Sequence, residues 1–140
     1  MKSCSALFTT FLAISSLALA ADKLSSADKT FARNAAAGGA AEVEMGNIAA
    51  EKGSNQKVRD FGQRMVTDHS KAGEELKAVA TKKGITLPSG PSGKEKSAAA
   101  KMAKLSGAEF DQAYMKDMVA DHEKTLPNSK ERRTAAPIRI

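Results

Sequence analysis

An all-α helical bundle is the fold class this sequence predicts, and three observations predict it. Apolar and small residues recur at intervals of three and four along most of the chain, and the gaps between these runs carry helix caps and helix stops. The third is a repeat: Phe61-x-x-x-Met65-Val66-x-Asp68-His69 returns as Tyr114-x-x-x-Met118-Val119-x-Asp121-His122, and these stretches hold the only two histidines.

Residues 1–20 stand apart from any fold. Lys2 precedes an uncharged apolar run from Ala6 to Ala20 that closes on Ala18-Leu19-Ala20, the pattern of a secretory signal peptide with cleavage after Ala20. That run is short for a bilayer span, which takes roughly 20 apolar residues, and no later segment approaches it. The mature chain is therefore expected to be exported and soluble. Cys4 lies before the apolar run rather than at its end, where a lipoprotein cysteine stands, so no lipid anchor is expected. Once Cys4 is removed, no thiol remains for a disulfide or a thiolate metal site. Residues 21–140 suffice for one modest domain with one core.

The first predicted helix covers 26–52. Ser25-x-x-Asp28 marks its start, Phe31, Ala35, Gly38, Glu42, Met45 and Ala49 form a narrow stripe, and Gly53 follows its end. The small residues Gly38, Gly39, Ala40, Ala41 and Gly46 let another backbone approach but weaken the helix by roughly 1 kcal/mol per glycine, so tertiary contacts must hold it. The second covers 55–83, with Val58, Phe61, Met65, Ala72, Leu76 and Val79 as its stripe. Lys82 and Lys83 suit the negative end of its dipole, Gly84 supplies a left-handed cap, and Pro88 forbids continuation. A linker of proline, serine and glycine from Pro88 to Gly93 precedes a short helix over 94–104, on which Ala98, Met102 and Leu105 share one side. Ser106-x-x-Glu109 reads as a capping box opening a helix over 106–125, with Phe110, Tyr114 and Met118 inward. Residues 126–140, broken by Pro127 and Pro137, show no helical period and read as a disordered basic tail.

The formal charge is +6, yet cleavage removes Lys2, and the tail holds Lys130, Arg132, Arg133 and Arg139 against Glu131, which leaves only +2 on Ala21 to Thr125. The basic character is largely that of the tail, and no stacking aromatics are interleaved with it. Neither a nucleic-acid partner nor a transmembrane segment in the mature chain is expected.

The twin Asp-His segments are the candidate site. His69 falls four residues after Met65, and His122 four after Met118, so both pairs flank apolar stripes. If their helices pack side by side, the pairs meet inside the bundle, where a buried carboxylate needs a metal ion, a hydrogen-bond partner or a basic side chain. Spacing of four also aligns Met65 with His69 and Met118 with His122, a thioether–imidazole combination that suits Cu(I), although methionine on such a stripe is also ordinary core. Ser70 has no nucleophile turn, Glu74 and Glu75 form a solvated face, and Gly38-Gly39 follows no strand, so no catalytic constellation is present.

Ala41-Glu42-Val43-Glu44-Met45-Gly46, the block from Phe61 to His69, Gly84-Ile85-x-Leu87-Pro88, Leu105-Ser106-Gly107-x-x-Phe110-Asp111 and Met118-Val119-x-Asp121-His122 together resemble the exported bacterial domain of unknown function 4142 family. The resemblance covers roughly Asp28 to Thr125. It implies a ferritin-like up-down bundle, a periplasmic or outer-membrane location, and a non-enzymatic envelope or stress-related role. The ferritin-like analogy also implies an alternative: a divalent or dinuclear metal held in the bundle core by Glu42, Glu44, Asp68, His69, Asp121 and His122. The di-iron Glu-x-x-His signature is absent, since Val66 and Val119 stand three residues before the histidines, and adjacent Asp and His point about 100° apart. Family members continue the third long helix and add a fourth, whereas here a proline-broken tail follows, as after a frameshift or truncation. The fourth helix is thus expected to be missing or replaced, leaving a groove for a second copy of the chain or for the short helix before Ser106 to fill. A third reading is an envelope-surface adaptor acting through the basic tail.

Overall fold

The computed structural model describes residues 24–125, so the signal peptide expected over 1–20, the tail expected over 126–140 and any replacement of a fourth long helix lie outside the described residues. Four helices and no strand are present among them: α1 (Ser26–Lys52), α2 (Gln56–Lys83), α3 (Gly93–Met102) and α4 (Gly107–Thr125). None is long and apolar enough to cross a membrane.

Local chemistry sets the boundaries. Ser25 and Asp28 close a reciprocal capping box on α1, and Ser92 and Glu95 close another on α3. Asn55 caps α2 by accepting from the Lys57 N–H at 2.9 Å, and Gly84, at φ 65°, ends that helix in the left-handed conformation that costs glycine little. The expected Ser106–Glu109 capping box is not formed. The chain enters α4 through Gly107 at φ 59°, and the Phe110 N–H donates to the Ser106 carbonyl instead.

α1 is the element that the others share: it packs along α2 and touches α3 and α4. Glu42 faces His69 and Gly46 faces Gly62, so α2 runs antiparallel to α1. Ser54 meets Asp111 and Glu42 meets His122, so α4 is antiparallel to α1 as well. The two repeated segments therefore run parallel and meet like with like, Phe61 against Tyr114 at 6.1 Å and His69 against His122 at 6.2 Å between ring centroids.

The core lies where the C-terminal half of α1 and the N-terminal half of α2 meet α3 and α4, around Met45, Ala49, Val58, Ala99, Phe110, Tyr114 and Met118. Phe110 and Tyr114 are fully buried and stacked at 5.8 Å, with Phe61 edge-on to Tyr114. The Tyr114 hydroxyl is buried without a hydrogen-bond partner among the described residues, and its pKa is pushed up to about 12, by burial first and by the negative charge of Glu42 second. A buried hydroxyl without a partner costs about 1–3 kcal/mol. Tyr114→Phe, which restores the phenyl ring the first repeat carries as Phe61, is expected to stabilise the fold by about 1 kcal/mol. Urea unfolding measures it, and a lowered midpoint would mean that the hydroxyl has a partner.

The other end of the bundle is open. Phe31 is 73% exposed and Val79 54%, although both were expected on inward stripes; Ala32 is buried in place of Phe31. α4 stops near the level of Gly39, so beyond it, among the described residues, α1 packs along α2 and against the segment that follows α2, where Arg33 Nε donates to the Thr86 carbonyl at 3.2 Å, and an open groove remains beside Phe31 and Leu76.

A long-range lock ties the start of α4 to the turn between α1 and α2. The Asp111 carboxylate of α4 accepts from the Ser54 N–H at 2.9 Å, the Asn55 N–H at 2.8 Å and the Ser54 hydroxyl, so α4 caps the positive end of α2. The Ser54 hydroxyl bond, foremost, holds the Asp111 carboxyl below the usual carboxylate range; desolvation, next in size, opposes it, and the Asn55 and Ser54 amides and Arg59 tip the balance downward. A lowered folded pKa makes this contribution full above the unfolded value, and it is lost as pH falls through the folded one. Asp111→Ala is therefore expected to lower the melting temperature at neutral pH, with the gap to the parent closing at strongly acidic pH. A gap independent of pH would refute that assignment.

Candidate metal centre

Three helices each bring one donor to a single point. Glu42 comes from the middle of α1, His69 from the middle of α2 and His122 from the last turn of α4, and one donor atom of each lies within 4.8 Å of the other two. Glu42 Oε2 is 2.8 Å from His69 Nδ1, and Glu42 Oε1 is 3.7 Å from His122 Nε2. Their side chains are 21%, 25% and 41% exposed, in the same order. α1 passes close to the His69 ring at Gly39, where a Cβ would sit in ordinary contact 3.9 Å from His69 Nδ1.

His122 is oriented by its own helix. Its Nδ1 lies 2.8 Å from the Met118 carbonyl, which can only accept, so Nδ1 carries the proton and Nε2 is turned toward Glu42. Metal-binding histidines are commonly held in this manner, with the second ring nitrogen donating to a carbonyl or carboxylate. Donors at 2.0–2.2 Å around a tetrahedral ion stand about 3.3 Å from one another. The observed 2.8 and 3.7 Å lie on either side of that spacing.

The other predicted ligands stand elsewhere. Asp68 is exposed and paired with Arg64 at 3.2 Å, and Asp121 is paired with Lys124 at 2.7 Å. Glu44, two residues beyond Glu42, is rotated roughly 200° around α1 and has no part in the cluster. In the first pair the imidazole turns inward and the carboxylate outward, whereas Asp121 and His122 both line the open groove, His122 toward Glu42 and Asp121 toward Lys124. The methionines of the Cu(I) reading, Met65 and Met118, are buried in apolar surroundings, and Met118 meets His122 through its carbonyl. Asp117, which the sequence did not single out, lines the same open groove as the cluster; its carboxyl is raised above the usual range by burial first and by the Asp121 charge second.

Fold and site together define an all-α bundle with a carboxylate and two imidazoles drawn from three helices. The chain belongs to the family described as Domain of unknown function (DUF4142), whose model matches residues 14–136. Comparison with curated proteins gives no match, and comparison with solved structures gives none.

Proposed function

We propose that this protein is an exported, non-enzymatic helical-bundle protein of the bacterial envelope that binds a single divalent transition-metal ion at Glu42, His69 and His122. The convergence of three donors from three helices within 4.8 Å is the observation that carries the reading. Two imidazoles and one carboxylate suit zinc, copper, nickel or cobalt; magnesium and calcium call for sets of oxygen ligands that this cluster lacks. Asp68 and Asp121 are engaged by basic neighbours, so the donor set supports a mononuclear site rather than the carboxylate-rich dinuclear centre of the ferritin analogy. A periplasmic or outer-membrane location with an envelope or stress-related role belongs to the same reading. It rests on the leader-like residues 1–20 and on the family resemblance.

Titration of metal-free, tag-free protein with Co²⁺ tests this. The expected result is one equivalent bound per chain, with the visible spectrum of a low-symmetry Co²⁺ site, and displacement by Zn²⁺. Absence of any saturable spectrum would sink the proposal.

A further inference from the structure

We infer that residues 126–140 dock along the groove between the N-terminal half of α1 and the C-terminal half of α2, extending the third layer that α4 begins. Register is the first support. With Asp111 at the level of Ser54 and His122 at that of Glu42, the chain leaves Thr125 near Gly39, at the mouth of the open groove that the first half of α1 forms with α2 and the segment from Ile85 to Pro91. That half is about 20 Å long at 1.5 Å per residue. The segment, extended, reaches about 50 Å, so it can follow the groove with a bend at Pro127. It needs no helical periodicity to lie there in extended form.

Charge is the second support. The groove is lined by Glu42, Glu95, Asp117 and Asp121 against Lys77 and Lys124, whereas residues 126–140 carry Lys130, Arg132, Arg133 and Arg139 against Glu131. Lys124 is already engaged by Asp121, and Asp117 makes no ion pair among the described residues. Burial first and the Asp121 charge second raise the Asp117 pKa, and Lys124 offsets them only in part. Leu126, Ile138 and Ile140 offer apolar side chains to Phe31, Leu76 and Leu87 of the groove. The third support is the family match, which continues past α4 to residue 136, so most of the segment belongs to the same family domain as the helices.

Limited trypsin digestion of the mature full-length chain, read by mass spectrometry at Lys130, Arg132 and Arg133, tests the inference against a free peptide of residues 126–140 in the same buffer. Cleavage tracks the open population, so docking should slow these cuts at least about tenfold. Protection should vanish near 1 M salt, where the screening length falls to about 3 Å, and in the double variant Asp117→Asn/Asp121→Asn. If that variant does not fold, the salt series on the parent chain decides. Cleavage at the free-peptide rate overturns the inference, as does protection that survives high salt. So does protection that appears only with a dimeric mass in light scattering, because a second copy is then the occupant.

Discussion

Replacing Gly62 with alanine should lower the melting temperature by about 10 °C, whereas the same replacement at Gly73, on the same helix, should raise it. A Cβ at Gly62 would stand 2.7 Å from the Gly46 carbonyl oxygen and 2.8 Å from both Ala49 Cβ and the Ala50 nitrogen. A Cβ at Gly46 would in turn stand 2.7 Å from the Gly62 carbonyl oxygen, so the two backbones touch through paired gaps. The obstructing atoms are backbone or Cβ and cannot rotate away; the helices must part. Overpacking of this kind costs up to about 3 kcal/mol, and the better helix propensity of alanine returns about 1 kcal/mol. The net loss of about 2 kcal/mol corresponds to about 10 °C for a domain of this size. At Gly73 nothing lies within 4 Å of the added methyl, so only the propensity gain of up to about 1 kcal/mol operates. Calorimetry on both variants decides, and shifts of the same sign would refute close α1–α2 packing. Gly46 is one turn from Glu42, so parting the helices should also lengthen the 2.8 Å contact with His69 and weaken the metal site.

The stripes of α1 and α2 were legible because burial at three-and-four spacing leaves a periodic trace, and the stop at Gly84 was legible because few residues other than glycine tolerate φ 65°. Phe31 and Val79 were misread for a definite reason. A stripe tells which face of a helix is apolar, but not whether another element reaches far enough to cover it, and α4 does not. Glu42 and Glu44 could not be separated from the sequence, since both flank the stripe, and the choice depends on where α2 and α4 sit around α1. The histidine repeat was legible as a pair of matching positions. The carboxylate between its halves, on a third helix, was narrowed by the ferritin-like analogy only to Glu42 or Glu44. Asp111 left no local signal at all, because its partners Ser54 and Asn55 lie 57 and 56 residues earlier.

His69→Ala and His122→Ala are each expected to abolish stoichiometric metal binding, while Asp68→Ala and Asp121→Ala leave it within a few-fold of the parent. The contrast separates the cluster from the rest of each Asp-His pair: the imidazoles face Glu42, and the aspartates face Arg64 and Lys124. Removing one of three protein donors leaves an imidazole and a carboxylate, too few to hold an ion against water. Glu42→Gln removes the only charge among the donors and should weaken binding strongly with little change in shape. Stability gives an independent readout. An ion that binds only the folded chain stabilises it by about 2.7 kcal/mol at one hundred times its dissociation constant, so the parent should melt about 10 °C higher with excess Zn²⁺. The two histidine variants should show no such rise. Acid should reverse the stabilisation in the parent, because each imidazole must be free of the second proton to bind the ion. A rise with Zn²⁺ that persists in a double His69→Ala/His122→Ala variant would place the metal elsewhere and reduce the cluster to a hydrogen-bonded brace between α1, α2 and α4.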